Sequence, residues 1–340
     1  MRLIATVAAA AASVSVVNAH CYIWGVFVNG VDQGTFRAIR TPAYNGPSPH
    51  GYANSPVKNL TSVDLKCNVL GDKQVDYTIQ VRPGDNLTFD WHHDKRTDTD
   101  DVIASSHHGP ALVYLSPDPP TEDSFVKIWE EGLYELSEVP FGAGKWATTS
   151  DIAANHGHMN VRVPAGLKPG QVSASYLVRA EMIALHEGDA SYLKNQFRGA
   201  QFYPNCVQIE VVGDGTVELP KGVSFPGAYD YSDPGVVFDT SPLPTTPCAT
   251  TYQIPGPTVW SGAWPTTTAI EVGPISGPTT ATLWSSWIQK SIVTYASYDG
   301  SEANILSTSV YTAEWSTTYQ TPAAMPTPTA QRDPPDPVVF

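Results

Sequence analysis

From residue 20 to about residue 260, apolar and polar positions alternate in short runs, each bounded by turn residues. "CYIWGVFVNG" alternates and stops at Asn29-Gly30, a dipeptide that favours a two-residue hairpin turn because both positions tolerate positive φ. "YTIQVRPGDNLTFDW" reads as two strands on either side of Pro83-Gly84-Asp85. "PALVYLS", "HMNVRVP", "SYLVRAEMIALH" and "CVQIEVVG" continue in the same style. Helical periodicity is weak throughout, so the pattern predicts an all-β chain, a β-sandwich with long loops. The stretches 43–55 and 95–106 are too polar to be core, and no internal repeat is evident.

Both ends depart from this pattern. Arg2, an alanine-rich apolar run over 3–17 and the small-residue ending Val17-Asn18-Ala19 have the form of a secretory signal peptide, 1–19, cleaved after Ala19. The run is shorter than the roughly 20 residues that span a bilayer. A secreted, extracellular protein is therefore expected. Beyond residue 261 the composition shifts to Thr, Ser and Pro. Residues 262–340 are expected to form a mostly disordered, O-glycosylated stalk or linker without a recognisable carbohydrate-binding module. Trp264, Trp284, Trp287 and Trp315 lie in this tail and are candidates for touching a polysaccharide.

The 340 residues carry 33 acidic and 19 basic side chains, a formal charge of −14. Loss of Arg2 with the leader takes this to −15, and no Lys/Arg cluster interrupts it. Nucleic acid and anionic membranes are thereby disfavoured as partners. Four cysteines, Cys21, Cys67, Cys206 and Cys248, suit two disulfides in an oxidising compartment, with three pairings open. None forms a CxxC pair, which argues against a zinc ribbon. Asn59 and Asn86 head Asn-x-Thr triplets and are candidate glycosylation sites.

Cleavage after Ala19 would make His20 the first residue of the mature chain. Its free α-amino group and its imidazole would then close a chelate ring on one metal ion. The amine titrates near ~8, so a metal displaces its proton at modest cost. A nitrogen-only, tetragonal donor set favours copper over zinc. One of His107 and His108, in "IASSHHGPALVYL", would complete a three-nitrogen site. His92-His93 and His156/His158 are competing pairs, and counting alone does not choose among them. In "GAQFYPNC" an extended backbone puts Gln201 and Tyr203 on one face and Phe202 and Cys206 on the other. Tyr203 then suits a distant axial position, and Gln201 a hydrogen bond to whatever the metal binds. In "SYLVRAEMIALH", His186 ends the face that carries Tyr176 to Ala184, while Arg179 and Glu181 share the opposite face.

Together "AHCYIWGVFVNGVDQG", "IASSHHGPALVYL", "YLVRAEMIALH" and "GAQFYPNCVQIEV" resemble the fungal lytic polysaccharide monooxygenases of auxiliary activity family 9, formerly glycoside hydrolase family 61. The similarity runs from His20 through "VSFPGAYDYSDPGVVF" to "YQIPGPTVW". It implies an immunoglobulin/fibronectin-like β-sandwich over 20–261, with a flat substrate face and one copper ion in a histidine brace. His20 and His107 would hold the metal, leaving His108 as the variable position. Tyr203 would be axial, and His186 and Gln201 would act around the metal-bound co-substrate. The family disulfide would join Cys67 to Cys206. The implied reaction is oxidative: an external electron donor reduces the copper, O2 or H2O2 is the co-substrate, and hydroxylation at a linkage carbon breaks the polysaccharide. Insoluble cellulose, or related β-glucans and hemicelluloses, is the implied substrate, acted on by a monomer.

Cys21 departs from the family pattern, and a disulfide to Cys248 is expected to account for it. Tyr229 and Tyr231 are candidates for the flat face or for the core. A glycosidase would instead need two facing carboxylates, and no Asp/Glu pair stands out by motif. Two other readings remain: a non-catalytic polysaccharide- or cell-wall-binding protein that keeps the fold, and a copper-sequestering protein.

Overall fold

The computed structural model describes residues 21–41, 56–69, 71–93, 95–135, 144–170, 176–240, 251–264 and 272–275, and the backbone of 287–299 and 302–315. The leader, His20, Cys248 and the whole 43–55 loop lie outside the described residues.

Two sheets face each other. Strands β1 (Tyr22–Val28) and β2 (Val31–Asp32) form the hairpin expected at Asn29-Gly30, where φ is 50° and 80°. Both values are positive, as a type I′ turn requires. Next come β3 (Ile79–Val81), β4 (Asn86–His92), β5 (Ala111–Pro117) and β6 (Val126–Glu131). A short pair, β7 (Leu133–Glu135) and β8 (Lys145–Trp146), leads into a π-helical turn at Ala147–Ile152. The chain continues through β9 (His158–Arg162), β10 (Tyr176–Ala184) and β11 (Gln201–Val211). The first sheet has the order β2-β1-β4-β9 and the second β3-β11-β10-β5-β6. Only β3 runs parallel to its neighbour, β11. The Pro83-Gly84-Asp85 turn thus carries the chain from one sheet to the other rather than closing a hairpin.

Alternation decides the core. Odd-numbered residues of β11 (Tyr203, Val207, Ile209, Val211) and even-numbered residues of β10 (Val178, Ala180, Met182, Ala184) face the first sheet. There they meet Ile23, Val26, Phe89, Trp91, Met159 and Val161. The opposite face of the second sheet is buried as well. Leu177, Ile183, Phe202 and Cys206 pack under Phe225, Tyr229 and Val236 from the later chain. This second apolar layer explains why β10 is not polar on either side. Arg179 and Glu181 are both fully buried there, and Arg179 Nη2 donates to Glu181 Oε1 at 2.6 Å.

The Cys67–Cys206 disulfide is present, closing a loop with a sequence separation of 139. Cys248, the expected partner of Cys21, lies outside the described residues, among which Cys21 is a free, buried thiol. Its side chain points into the sandwich core with Ile23 and Tyr203, and burial pushes its pKa up, so it stays protonated. Tyr229 belongs to the core rather than to a flat face, because its hydroxyl donates to Glu181 Oε2 at 2.7 Å. Within the Thr/Ser/Pro-rich tail, β12 (Trp287–Asp299) and β13 (Glu302–Trp315) pair antiparallel as a separate two-stranded ladder. Trp264 is 38% exposed, and the Arg162 guanidinium lies 4.7 Å from its ring. Among the described residues no helix is long and apolar enough to cross a membrane.

Candidate functional site

Three strand ends of the second sheet meet at one edge of the sandwich. In the β10/β11 ladder Met182 lies opposite Tyr203 and Ala184 opposite Gln201; across β10, Met182 also faces Ala111 of β5. The ladder runs on past β5: Ile183 N–H donates to Pro110 O at 3.0 Å and Leu185 N–H to His108 O at 2.8 Å. Gly109 allows this approach, because a Cβ there would collide with the Ile183 carbonyl oxygen. The His107-His108 turn is thereby strapped beside His186. Thr148, in the π-helical turn, holds it from the other side, donating to His107 O at 2.7 Å.

The outcome separates the two histidines. The His107 ring is buried and stacks on His186, with centroids 4.0 Å apart and planes at 25°. Its centroid is 6.2 Å from that of Tyr203. Ser106 Oγ lies 3.2 Å from His107 Nδ1. His108 turns away, with its Nδ1 at 2.9 Å from Thr149 Oγ1. The competing pair members His92 and His158 gather instead around Asp90 of the first sheet.

A chain of hydrogen bonds ties the remaining candidates together. Tyr203 donates its hydroxyl to Gln201 Oε1 at 2.7 Å, and Gln201 Nε2 donates to Glu187 Oε2 at 2.9 Å. Lys58 Nζ donates to the same carboxylate oxygen at 2.8 Å. Gln201 Nε2 also lies 3.4 Å from His186 Nε2. Sequence reasoning missed Glu187 and Lys58. Glu187 was signalled only by its place next to His186, and nothing signalled Lys58, 129 positions away from it.

Burial sets the protonation states. Desolvation holds the Tyr203 phenol well above its ordinary pKa, reinforced by Cys21 and Glu187, so it is a neutral hydroxyl. Desolvation also lowers the pKa of His186 and of His108, favouring neutral imidazoles. Burial raises Glu187, but its bonds from Lys58 and Gln201 outweigh that and keep it ionised. His186 Nδ1 is buried without a hydrogen-bond partner. The edge therefore offers the His107 ring beside an uncharged His186 imidazole and a neutral Tyr203 phenol, a set suited to a borderline or soft transition ion. His107 and Tyr203 are the described residues that would ligate such an ion. The described chain opens at Cys21, whose neutral thiol lies in the same core cluster as Tyr203.

One carboxyl pair does come together, Glu131 of β6 with Asp151 of the π-helical turn. The two share a hydrogen bond, and burial, then the Asp151 charge, raises Glu131 to about 7. Groups in direct contact leave no room for a glycosidic bond between them, so this is not a glycosidase pair, whose carboxyls stand at least ~5 Å apart.

The profile of "Auxiliary Activity family 9 (formerly GH61)" matches residues 20–252. Among curated proteins, an "AA9 family lytic polysaccharide monooxygenase A" of Aspergillus fumigatus is 43% identical over 264 residues, covering 75% of this chain and 65% of its own length. The protein of the same name from Schizophyllum commune is 41% identical over 264 residues, covering 76% of this chain and 96% of its own length. The chain thus spans just under two thirds of the first relative and nearly all of the second. The solved structure of CvAA9A superposes with a TM-score of 0.60 at 37% identity, covering 72% of this chain and 99% of that one. With its β-sandwich and its matched span of 20–252, the chain belongs to auxiliary activity family 9.

Proposed function

We propose that this protein is a secreted, copper-dependent lytic polysaccharide monooxygenase acting as a monomer on cellulose or a related β-glucan. The observation that carries the proposal is the stacked His107/His186 pair beside the Tyr203–Gln201–Glu187 hydrogen-bond chain. The donor chemistry would fit copper: imidazole nitrogen beside one protonated phenol. His20, freed by cleavage after Ala19, would supply its amine and imidazole, and His107 would supply Nε2, with Ser106 at Nδ1 fixing the ring. When bound, copper supplies one-electron redox chemistry that turns O2 or H2O2, with an external electron donor, into an oxidant for a glycosidic carbon.

The chain's own residues do the rest. Tyr203 would offer the metal an uncharged hydroxyl, since burial keeps it from becoming a phenolate at ordinary pH. Gln201 is held between Tyr203 and Glu187, which fixes its amide and aims Nε2 toward His186. His186, whose burial favours the neutral form, would exchange a hydrogen bond with the co-substrate beside His107. Exposed Leu193 and Phe197 sit on the loop closed by Gly199 N–H to Glu187 O at 3.0 Å, and would face the sugar rings. Asn59 and Asn86 would carry N-glycans.

The test is product analysis. Mature protein with one equivalent of copper, a reductant and H2O2 should release oxidised oligosaccharides from amorphous cellulose, detected by mass spectrometry. His107→Ala and His20→Ala should release none. Copper-independent binding to cellulose with no oxidised product from the wild type would favour the wall-binding reading. Tight copper binding without product would favour the sequestering one.

A further inference from the structure

The candidate site and the loop expected to meet the sugar share one fastening, and it comes from a distant part of the chain. Residues 56–60 run along β11, where Val57 and Phe202 exchange both backbone hydrogen bonds, at 2.8 and 2.9 Å. Tyr231 holds the same segment from the later chain. Its hydroxyl accepts from Leu60 N–H at 2.9 Å and donates to Lys58 O at 3.3 Å. The backbone is therefore fixed on both sides of Lys58, and the Lys58 side chain starts from a set position.

Its ammonium serves two acceptors. Lys58 Nζ donates to Glu187 Oε2 at 2.8 Å and to Phe197 O at 2.9 Å. The first bond leads to the metal edge: Glu187 accepts from Gln201 Nε2, and Gln201 Oε1 accepts from the Tyr203 hydroxyl. The second bond leads to the loop over 187–199, which carries the exposed Leu193 and Phe197 side chains. The Lys58 and Glu187 side chains are only 19% and 30% exposed, so this ion pair is partly withdrawn from water. Charge-assisted bonds of this kind are stronger than neutral ones. Inside the loop, Lys194 N–H donates to Ser191 O, and Phe197 N–H to Asn195 Oδ1. Such local bonds shape the loop without attaching it to the sandwich. Tyr192, stacked on Tyr231 with centroids 6.3 Å apart, anchors one arm, and Lys58 anchors the arm that ends at Phe197.

We propose that Lys58 is a positioning residue: a single ammonium fastens the Phe197 arm of the loop and, through Glu187, the Gln201 amide, holding both in one register. Its consequence for catalysis rests on the monooxygenase function proposed for this site. A polysaccharide docked on Leu193 and Phe197 then meets Gln201, and the metal edge beside it, at a fixed offset. Misplacement of reacting groups by about 1 Å can cost on the order of 100-fold in rate. Lys58 touches neither the substrate nor the metal ligands, so it acts only through what it holds.

The test reads both arms in metal-free protein by 15N NMR. One readout is hydrogen exchange of the backbone amides over 189–198, and the other is exchange of the Gln201 side-chain amide. Lys58→Met keeps the stem and removes the ammonium, and should speed both by about tenfold or more. Glu187→Ala should speed the Gln201 amide alone, because Lys58 keeps its bond to Phe197 O. Lys58→Arg restores charged donors and should recover most of the protection in both. With copper, Lys58→Met should weaken binding to amorphous cellulose and also lower oxidised-product release at saturating cellulose, on the order of 10–100-fold. Glu187→Ala should lower release and leave binding unchanged, a split that a merely structural role would not produce. The proposal is overturned if Lys58→Met leaves either arm at the wild-type exchange rate, if Glu187→Ala loosens the loop as well, or if Lys58→Met keeps full product release. A wild type that releases no oxidised product would overturn the monooxygenase reading instead, and the metal-free spectra would still decide what Lys58 holds.

Discussion

Two polar clusters flank the second sheet, and they are built to opposite ends. On its outer face Arg179 and Glu181 are fully buried, and each is answered. The guanidinium donates twice to the carboxylate and to the carbonyls of Leu65 and Lys66, with the Phe225 ring 3.8 Å away. Tyr229 completes the Glu181 shell. At the sheet's edge, His107, His186, Gln201 and Tyr203 are also largely buried, yet His186 Nδ1 is left without a partner. Buried charge is tolerated only when fully paired, because desolvation costs several kcal/mol per ion. A buried imidazole nitrogen left over is affordable only because the ring can stay neutral. The first cluster is therefore committed to the fold, and the second keeps capacity for something the fold does not supply.

Substitutions test that division. The largest stability loss is expected from Glu181→Leu, which strands a buried guanidinium and should cost about 3–5 kcal/mol in denaturant unfolding. A double variant, Arg179→Met with Glu181→Leu, should recover much of that loss; if it does not, the cluster contributes more than a satisfied charge pair. Gln201→Ala removes the acceptor of the Tyr203 hydroxyl and should cost about 1–3 kcal/mol. His186→Ala deletes an already unpartnered nitrogen, so unfolding should shift by no more than about 1 kcal/mol. Product release by the copper-loaded variant should nonetheless fall on the order of 10–100-fold. A His186→Ala variant that is badly destabilised but fully active would erase the contrast between the clusters.

The smallest effect is a pH dependence near the edge. Glu131 has its pKa raised to about 7 in the folded protein from 4.5. The folded state therefore binds the extra proton more readily than the unfolded chain does. Its contribution to stability is present below about 4.5 and is lost as pH rises through about 7. Melting temperature should fall between pH 5 and 8, and Glu131→Gln should flatten that slope. An unchanged slope would place the proton elsewhere.

Much of this was legible along the chain. The Asn29-Gly30 hairpin, the alternation of β10 and β11, and the shared face of Gln201 and Tyr203 follow from residue type and a period of two. They are local properties, and the strands realise them. Other features were hidden because they depend on what covers a strand. Alternation in β10 put Arg179 and Glu181 on one face but did not reveal that Phe225, Tyr229 and Val236 would bury it. The same layer took Tyr229 into the core. Cys21 is a further case: its place in the packed interior beside Ile23 and Tyr203 depends on the covering sheet, not on the residues next to it in the chain.

By itself, then, the sequence determined the β character, the hairpin turn, the family motifs and the short list of histidines. The period of the pleat and the φ demands of a turn act over a few residues, so they are written in adjacent letters. Only the tertiary structure decided where each histidine of a pair is held. Gly109 and Thr148 press His107 against His186, while Asp90 draws His92 and His158 to the other sheet. Those choices rest on contacts between segments far apart in the chain. The hydrophobic burial that brings such segments together is non-directional and proportional to area, so no local pattern encodes where two distant side chains will meet.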